Sequence, residues 1–86
     1  MDSQDNHLVY SFPKGKGEEI QVAIRTFKGK HYIDLRQWFQ GKNEATFLPT
    51  KKGVSFPLEL ITELRKAVER LSKAVVKFQV KEPDEF

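Results

Sequence analysis

The feature that most limits what this chain can become is a two-residue turn at Lys28-Gly29. It separates two stretches, 18–27 and 30–39, in which apolar and polar residues alternate. Alternation of this kind marks a half-buried strand, and two such stretches joined by a short Gly-containing turn form a β-hairpin. Successive side chains of a strand point to opposite faces. On the first arm Ile20, Val22 and Ile24 therefore share one face, and Arg25 and Phe27 the other. On the second arm Ile33 and Leu35 share a face, while Lys30, Tyr32, Arg36 and Trp38 share the opposite one. One face of the hairpin is an ordinary core face. The other mixes cations with aromatic rings, and contact with water does not call for that mixture.

Two readings of the mixed face fit the pattern. One is a solvated outer face with scattered rings, since antiparallel sheets often face water on one side and single exposed apolar residues are normal. The other is a platform for single-stranded nucleic acid, in which Lys and Arg neutralise phosphates and rings stack on unpaired bases. Each base–ring stack is worth roughly 1–3 kcal/mol. Asp34 falls on the same face between Lys30 and Arg36, and is expected to orient these cations rather than to act as a base.

The remaining sequence sets the frame. At 86 residues the chain is expected to be one domain. So short a chain buries only roughly 60–65% of the surface its unfolded form exposes, so a partner subunit would supply missing core. There is no cysteine, and His7 and His31 lack companions at ligand spacing, so no metal or cofactor is expected. No apolar run approaches the length of a membrane span, and residues 1–6 have neither a basic nor an apolar signal region. Membrane association and a secretory signal are therefore not expected. The net charge of +3 is unevenly spread: residues 14–53 carry nine cations against four anions, and both ends are acidic. A positive centre favours a polyanionic partner. No serine has a histidine and an acid as escorts, and Glu18 and Glu19 are adjacent and so point to opposite faces, so an enzyme is not expected.

In chain order, residues 1–17 read as a polar lead, with a short edge strand at 8–12. A loop at 13–17 follows, whose proline and glycines preclude a central strand. After the hairpin come a turn at 40–43, a short third strand at 44–48, a basic turn at 49–53 and a brief fourth strand at 54–56. Pro57 then opens a helix. Leu60, Ile61, Leu64, Val68, Leu71 and Val75 recur at three- and four-residue steps as one apolar stripe, with Glu63 and Lys66 among the pairs on its wet side. Twenty residues of helix span about 30 Å, more than a small sheet covers. A second copy of the helix is the simplest cover, and Ile61, Leu64, Val68, Leu71 and Val75 are the expected dimer interface. The alternative is that the stripe packs only on its own sheet. The domain is expected over 18–80, with an acidic tail at 81–86.

Val22, Arg25, Phe27-Lys28-Gly29-Lys30, Ile33-Asp34, Arg36 and Trp38-Phe39, followed by Pro49, Lys52-Gly53 and Ser55, occur in one order. That ordered set resembles the positive cofactor four family of transcriptional coactivators, over roughly residues 18–76. The resemblance implies an α+β fold: a curved four-stranded antiparallel sheet followed by one long C-terminal helix (β-β-β-β-α), paired through that helix as a Whirly-like homodimer. It implies binding of single-stranded or melted DNA, with little sequence preference, in transcription. By the same resemblance Arg25, Phe27, Lys28, Lys30 and Arg36 match positions that touch DNA, and Lys51 and Lys52 match a basic loop. Phe39 falls where the family has a stacking tryptophan, and Trp38 where it has a tyrosine. Strand alternation favours Trp38 as the stacking ring, whereas alignment favours Phe39, which would then need a bulge. Glu18 stands where some relatives have a cation, so one phosphate contact is expected to be lost. The Ser-rich lead of animal relatives is missing, which points to a bacterial, archaeal or viral member without that form of regulation. The expected location is with DNA, in the nucleoid or cytoplasm of a prokaryotic or viral host, or in a nucleus. Expected partners are single-stranded DNA, a second copy of the chain and the transcription machinery. The alternatives are RNA binding, a replication or repair role on the same groove, or a protein-interaction module with an incidental basic face.

Overall fold

A computed structural model describes residues 4–42 and 46–78. It has four antiparallel strands, β1 (Gln4–Gly15), β2 (Glu18–Phe27), β3 (Lys30–Gln40) and β4 (Phe47–Pro57), in the order β1-β2-β3-β4. A 3-10 turn, Leu58–Leu60, leads into one helix, α1 (Ile61–Phe78). The expected β-β-β-β-α architecture is therefore present.

The central hairpin is as expected. β2 and β3 pair without interruption from Phe27↔Lys30 at the turn to Glu18↔Phe39 at the open end. Lys28 and Gly29 have φ of 52° and 79°. Positive φ at both central positions is the twist-matched hairpin turn, and it explains the glycine. Nothing lies within 4 Å of where a Gly29 Cβ would sit, so conformation, not space, is the constraint there.

The flanking strands differ from the expectation. β1 is a full twelve-residue edge strand, not a five-residue patch, and it runs through Pro13 and Gly15. An edge tolerates both residues because one side of the strand needs no ladder bond. Irregularities between Leu8 and Tyr10 and between Pro13 and Gly15 absorb the mismatch. On the other side, the expected third and fourth strands and the basic turn between them are one strand, β4, from Phe47 onward. Pro49 pairs with Trp38 and Gly53 with Arg36, so residues 50–52 all face the single Gln37 across a bulge. The basic turn was thus a bulge inside a strand. Residues 44 and 45 of the expected third strand, and the expected tail 81–86, lie outside the described residues.

The two sheet faces sort as alternation requires. Ile20, Val22, Ile24, Ile33 and Leu35 share the apolar face, joined by Val54 and Phe56 from β4. Tyr10 and Phe12 join it from β1, their ring centroids 6.1 Å apart. Yet among the described residues little covers that face. Ala23 and Ile33 are the only buried apolar residues among those described. No residue of α1 is buried; Leu64 is half-buried, and Ile61, Val68, Leu71 and Val75 are exposed. The helix does not lie across its own sheet. A compact domain of this length would have a radius of gyration of about 12 Å, and this chain has 15.4 Å.

Candidate nucleic-acid interface

The mixed face of the hairpin is built in cross-strand rows. At the turn end, Phe27 stands opposite Lys30, and Arg25 opposite Tyr32, with Pro57 beyond Tyr32 on β4. Arg25, Phe27, Tyr32, Ser55 and Pro57 line a shallow open groove of about 300 Å³. A larger recess of about 530 Å³ adjoins it at the corner where β4 passes into the helix, and Tyr32 and Pro57 are shared by both. The Lys28 ammonium sits 5.3 Å from the centre of the Phe27 ring. That is cation–π range, so Lys28 steadies the ring and adds charge beside it.

At the open end of the hairpin, Trp38 stands between Glu19 and Pro49. Trp38 is half-buried and shares the face of Arg36 and Tyr32. Phe39, 40% exposed, points to the apolar face, opposite Leu48. The β2–β3 register is unbroken through both rings, and the bulge that would have turned Phe39 round lies in β4 instead. Gln21 donates a hydrogen bond to the Glu19 carboxylate at 2.6 Å, so a carboxylate is held near the Trp38 end of the face.

Between the two ends lies a polar lock. Asp34, only 4% exposed, accepts two hydrogen bonds from Arg36, from Nη2 at 2.9 Å and from Nε at 3.1 Å. Ser55 Oγ donates to the same carboxylate at 3.2 Å. Arg36 Nη1 reaches across to donate to the Thr50 carbonyl at 3.0 Å. A paired fork on a carboxylate is among the stronger side-chain interactions. It raises the Arg36 pKa above its usual value, chiefly through the hydrogen bond to Asp34; burial opposes this and the Asp34 charge adds to it. Small neighbours, Ala23 and Ser55, flank Asp34 in its row and let Arg36 fold back over it. Parity had indicated Asp34 as a charge partner, and its partner is Arg36.

The expected binding residues therefore separate into groups. Arg25, Phe27 and Lys30 meet at the turn end of one face, with Lys28 in the turn itself. Trp38 lies on that face at the far end, and Lys51 and Lys52 are exposed on the nearby β4 bulge. Arg36 sits between, with three of its nitrogens already engaged. Phe39 is on the other face. Sequence reading placed Tyr32 on this face but did not single it out; it missed Thr50, and it named Gly53 and Ser55 in the ordered set without the contacts they make. Thr50 and Gly53 had looked like turn residues, and only the cross-strand register shows what they meet. Among the described residues no three His, Cys, Asp or Glu side chains are placed to hold a metal ion.

A single antiparallel sheet with a free mixed face and one trailing helix defines a recognisable class of fold. The profile of the family described as Transcriptional Coactivator p15 (PC4) matches residues 14–67, and the chain belongs to that family. Among curated proteins it is 30% identical to the RNA polymerase II transcriptional coactivator KIWI of Arabidopsis thaliana over 74 residues, 86% of this chain and 64% of the relative. It is 31% identical to the coactivator KELP of the same plant over 62 residues, 72% of this chain and 36% of the relative. The chain thus spans less than two thirds of the length of either. Among solved structures, a PC4 homolog from Burkholderia pseudomallei superimposes with a TM-score of 0.72 at 22% identity, covering 79% of this chain and 98% of the other. The bacteriophage T5 homolog of PC4, described as implicated in recombination-dependent DNA replication, gives 0.56 at 23% identity, covering 91% and 98%. At such identities these two likenesses speak to the fold. No described helix is long and apolar enough to cross a membrane.

Proposed function

We propose that the protein is a homodimeric single-stranded-DNA-binding protein of the coactivator type, which holds melted DNA with little sequence preference in transcription. The observation that carries this reading is the composition of one sheet face. Phe27, Tyr32 and Trp38 are interleaved there with Arg25 and Lys30, and Lys51 and Lys52 stand at its edge. Rings on an open face can stack only on bases that are not already paired, and cations beside them follow the phosphates. Lys30 and Trp38 are eight residues apart on β3, or about 27 Å of extended strand. The face thus offers two stacking stations, and a ligand must be several nucleotides long to reach both. Trp38, not Phe39, takes the stacking role at the open end.

Dimerisation is supported by what the chain leaves uncovered. Ile61, Val68, Leu71 and Val75 are exposed on one stripe, and no residue of α1 is buried. A second copy of the helix is the simplest cover, and family membership favours it. The protein would then act where its DNA is, in a nucleus or a nucleoid, beside the transcription machinery. A second reading, replication on the same groove, is favoured by the likeness to the phage homolog.

The test is a competition among oligo-dT, a duplex of equal length and the matching RNA for the purified protein at fixed salt. Oligo-dT should win over the duplex. Equal affinities for single strand and duplex would remove the stacking reading, and a preference for RNA would redirect it to transcripts.

A further inference from the structure

The bulge in β4 is too well fastened to be a slack connection. The Thr50 hydroxyl donates to the Gln37 carbonyl at 2.7 Å and accepts the Lys52 backbone N–H at 3.1 Å. The Thr50 carbonyl in turn accepts Arg36 Nη1 at 3.0 Å, and Arg36 is itself fixed by the buried Asp34. Directly after the bulge β4 closes tightly on β3. A Cβ on Gly53 would lie 2.6 Å from the Leu35 carbonyl oxygen and 2.9 Å from Arg36 Cα. Both ends of the segment are therefore set, and between them two adjacent lysines, Lys51 and Lys52, stand exposed. Neither forms an ion pair among the described residues.

We propose that Thr50 is a positioning residue for nucleic-acid binding: with the Asp34–Arg36 pair behind it, its hydroxyl holds Lys51 and Lys52 where they meet backbone phosphates beside Trp38. Arg36 then serves as the clamp of this device, its guanidinium directed at Asp34 and Thr50. Two long flexible ammonium side chains lose less freedom on meeting phosphate when the backbone beneath them is already fixed. Thr suits the position because one hydroxyl can both donate and accept. The inference rests on the single-strand reading above.

The test measures oligo-dT affinity across a range of salt for the wild type, Thr50→Val, Thr50→Ser, the double variant Lys51→Ala/Lys52→Ala, and that double variant with Thr50→Val added. The slope of log affinity on log salt reports phosphates neutralised, about 0.7 per contact on a single strand. The double lysine variant should lose up to about 1.4 of slope, for two contacts. Thr50→Val should lose roughly 0.7 or more, at least one contact. Thr50→Ser, which keeps the hydroxyl, should retain the wild-type slope. Added to the double lysine variant, Thr50→Val should change the slope no further, because its effect runs through those lysines. A wild-type slope in folded Thr50→Val overturns the proposal, as does an equal loss in the background that lacks both lysines. If Thr50→Val does not fold, Thr50→Ala takes its place; failure of both to fold would make Thr50 a stability residue and also overturn it. If the wild type fails to bind oligo-dT at all, the single-strand reading falls and this inference with it. If the wild type binds and only the Thr50 variants are silent, this inference falls alone.

Discussion

The hairpin β2–β3 and the helix α1 are held in opposite ways. The hairpin is fastened from within: an unbroken register, a conformationally fixed turn, and a polar lock in which Asp34, Arg36, Ser55 and Thr50 bond to one another. The helix has a regular apolar stripe and almost nothing to press it against. Both are amphipathic by design of sequence, yet only one is complete within a single chain. Hydrogen-bonded strands fix each other locally, whereas most of a helix's stability in a protein comes from packing its apolar face. On the proposed dimer, the difference marks the helix as the part that a second copy would complete.

The largest effect should come from breaking the incomplete region. Leu64→Glu places a charge at the centre of the proposed helix–helix contact, where an uncompensated buried charge is penalised by several kcal/mol. It should yield monomers or insoluble protein in sedimentation equilibrium. A wild-type chain that is itself a stable monomer at micromolar concentration would remove the dimer and leave the helix unexplained.

Breaking the complete region should follow next in size. Asp34→Ala leaves Arg36 largely buried without its anion, a change that costs about 3–5 kcal/mol for buried pairs, toward the low end here because Arg36 keeps some exposure. Thermal unfolding should show a large drop in Tm, and a small drop would mean the lock adds little to the sheet. Gly53→Ala should destabilise by about 1–3 kcal/mol, since the added methyl meets backbone at 2.6 Å and the strands must part. An unchanged Tm would show that β4 can move away from β3 freely.

Smaller effects should separate rings from cations on the same face. Phe27→Ala should weaken oligo-dT binding by roughly 1–3 kcal/mol and leave the salt slope nearly unaltered. Lys30→Ala should flatten the slope by about 0.7, one contact. If both variants alter only the slope, Phe27 is not a stacking ring.

Much of this was legible in the sequence because period-two alternation is a strong signal. It fixed the hairpin, its turn and the sides of Tyr32, Asp34, Arg36 and Trp38. The three- and four-residue steps likewise anticipated α1 and its Glu63–Lys66 pair, which closes at 3.6 Å, but not its start: Pro57 ends β4, and the α-helix begins at Ile61 after the 3-10 turn. What failed had a common cause. Pro13, Gly15, Pro49 and Gly53 punctuate a sequence locally, yet an edge strand and a bulge each accommodate them. The length of β1 and the unity of β4 therefore depend on pairing partners far along the chain. Thr50 is invisible for the same reason, since its acceptor, the Gln37 carbonyl, lies 13 residues away. That Phe39 lies on the face opposite Trp38 needed the register, because only the pairing shows that the bulge is in β4 and not in β3.

The most direct test of the stacking face is to remove the bases and keep the phosphates. Binding of oligo-dT and of an abasic strand of equal length should be followed by Trp38 fluorescence over a salt series, Trp38 being the chain's one tryptophan. If the rings stack on bases, the abasic strand should bind more weakly by roughly 1–3 kcal/mol per lost stack, with a similar salt slope. The fluorescence change seen with oligo-dT should vanish. Equal affinity of the two strands, with the same fluorescence response, would contradict the stacking face and leave only a basic surface.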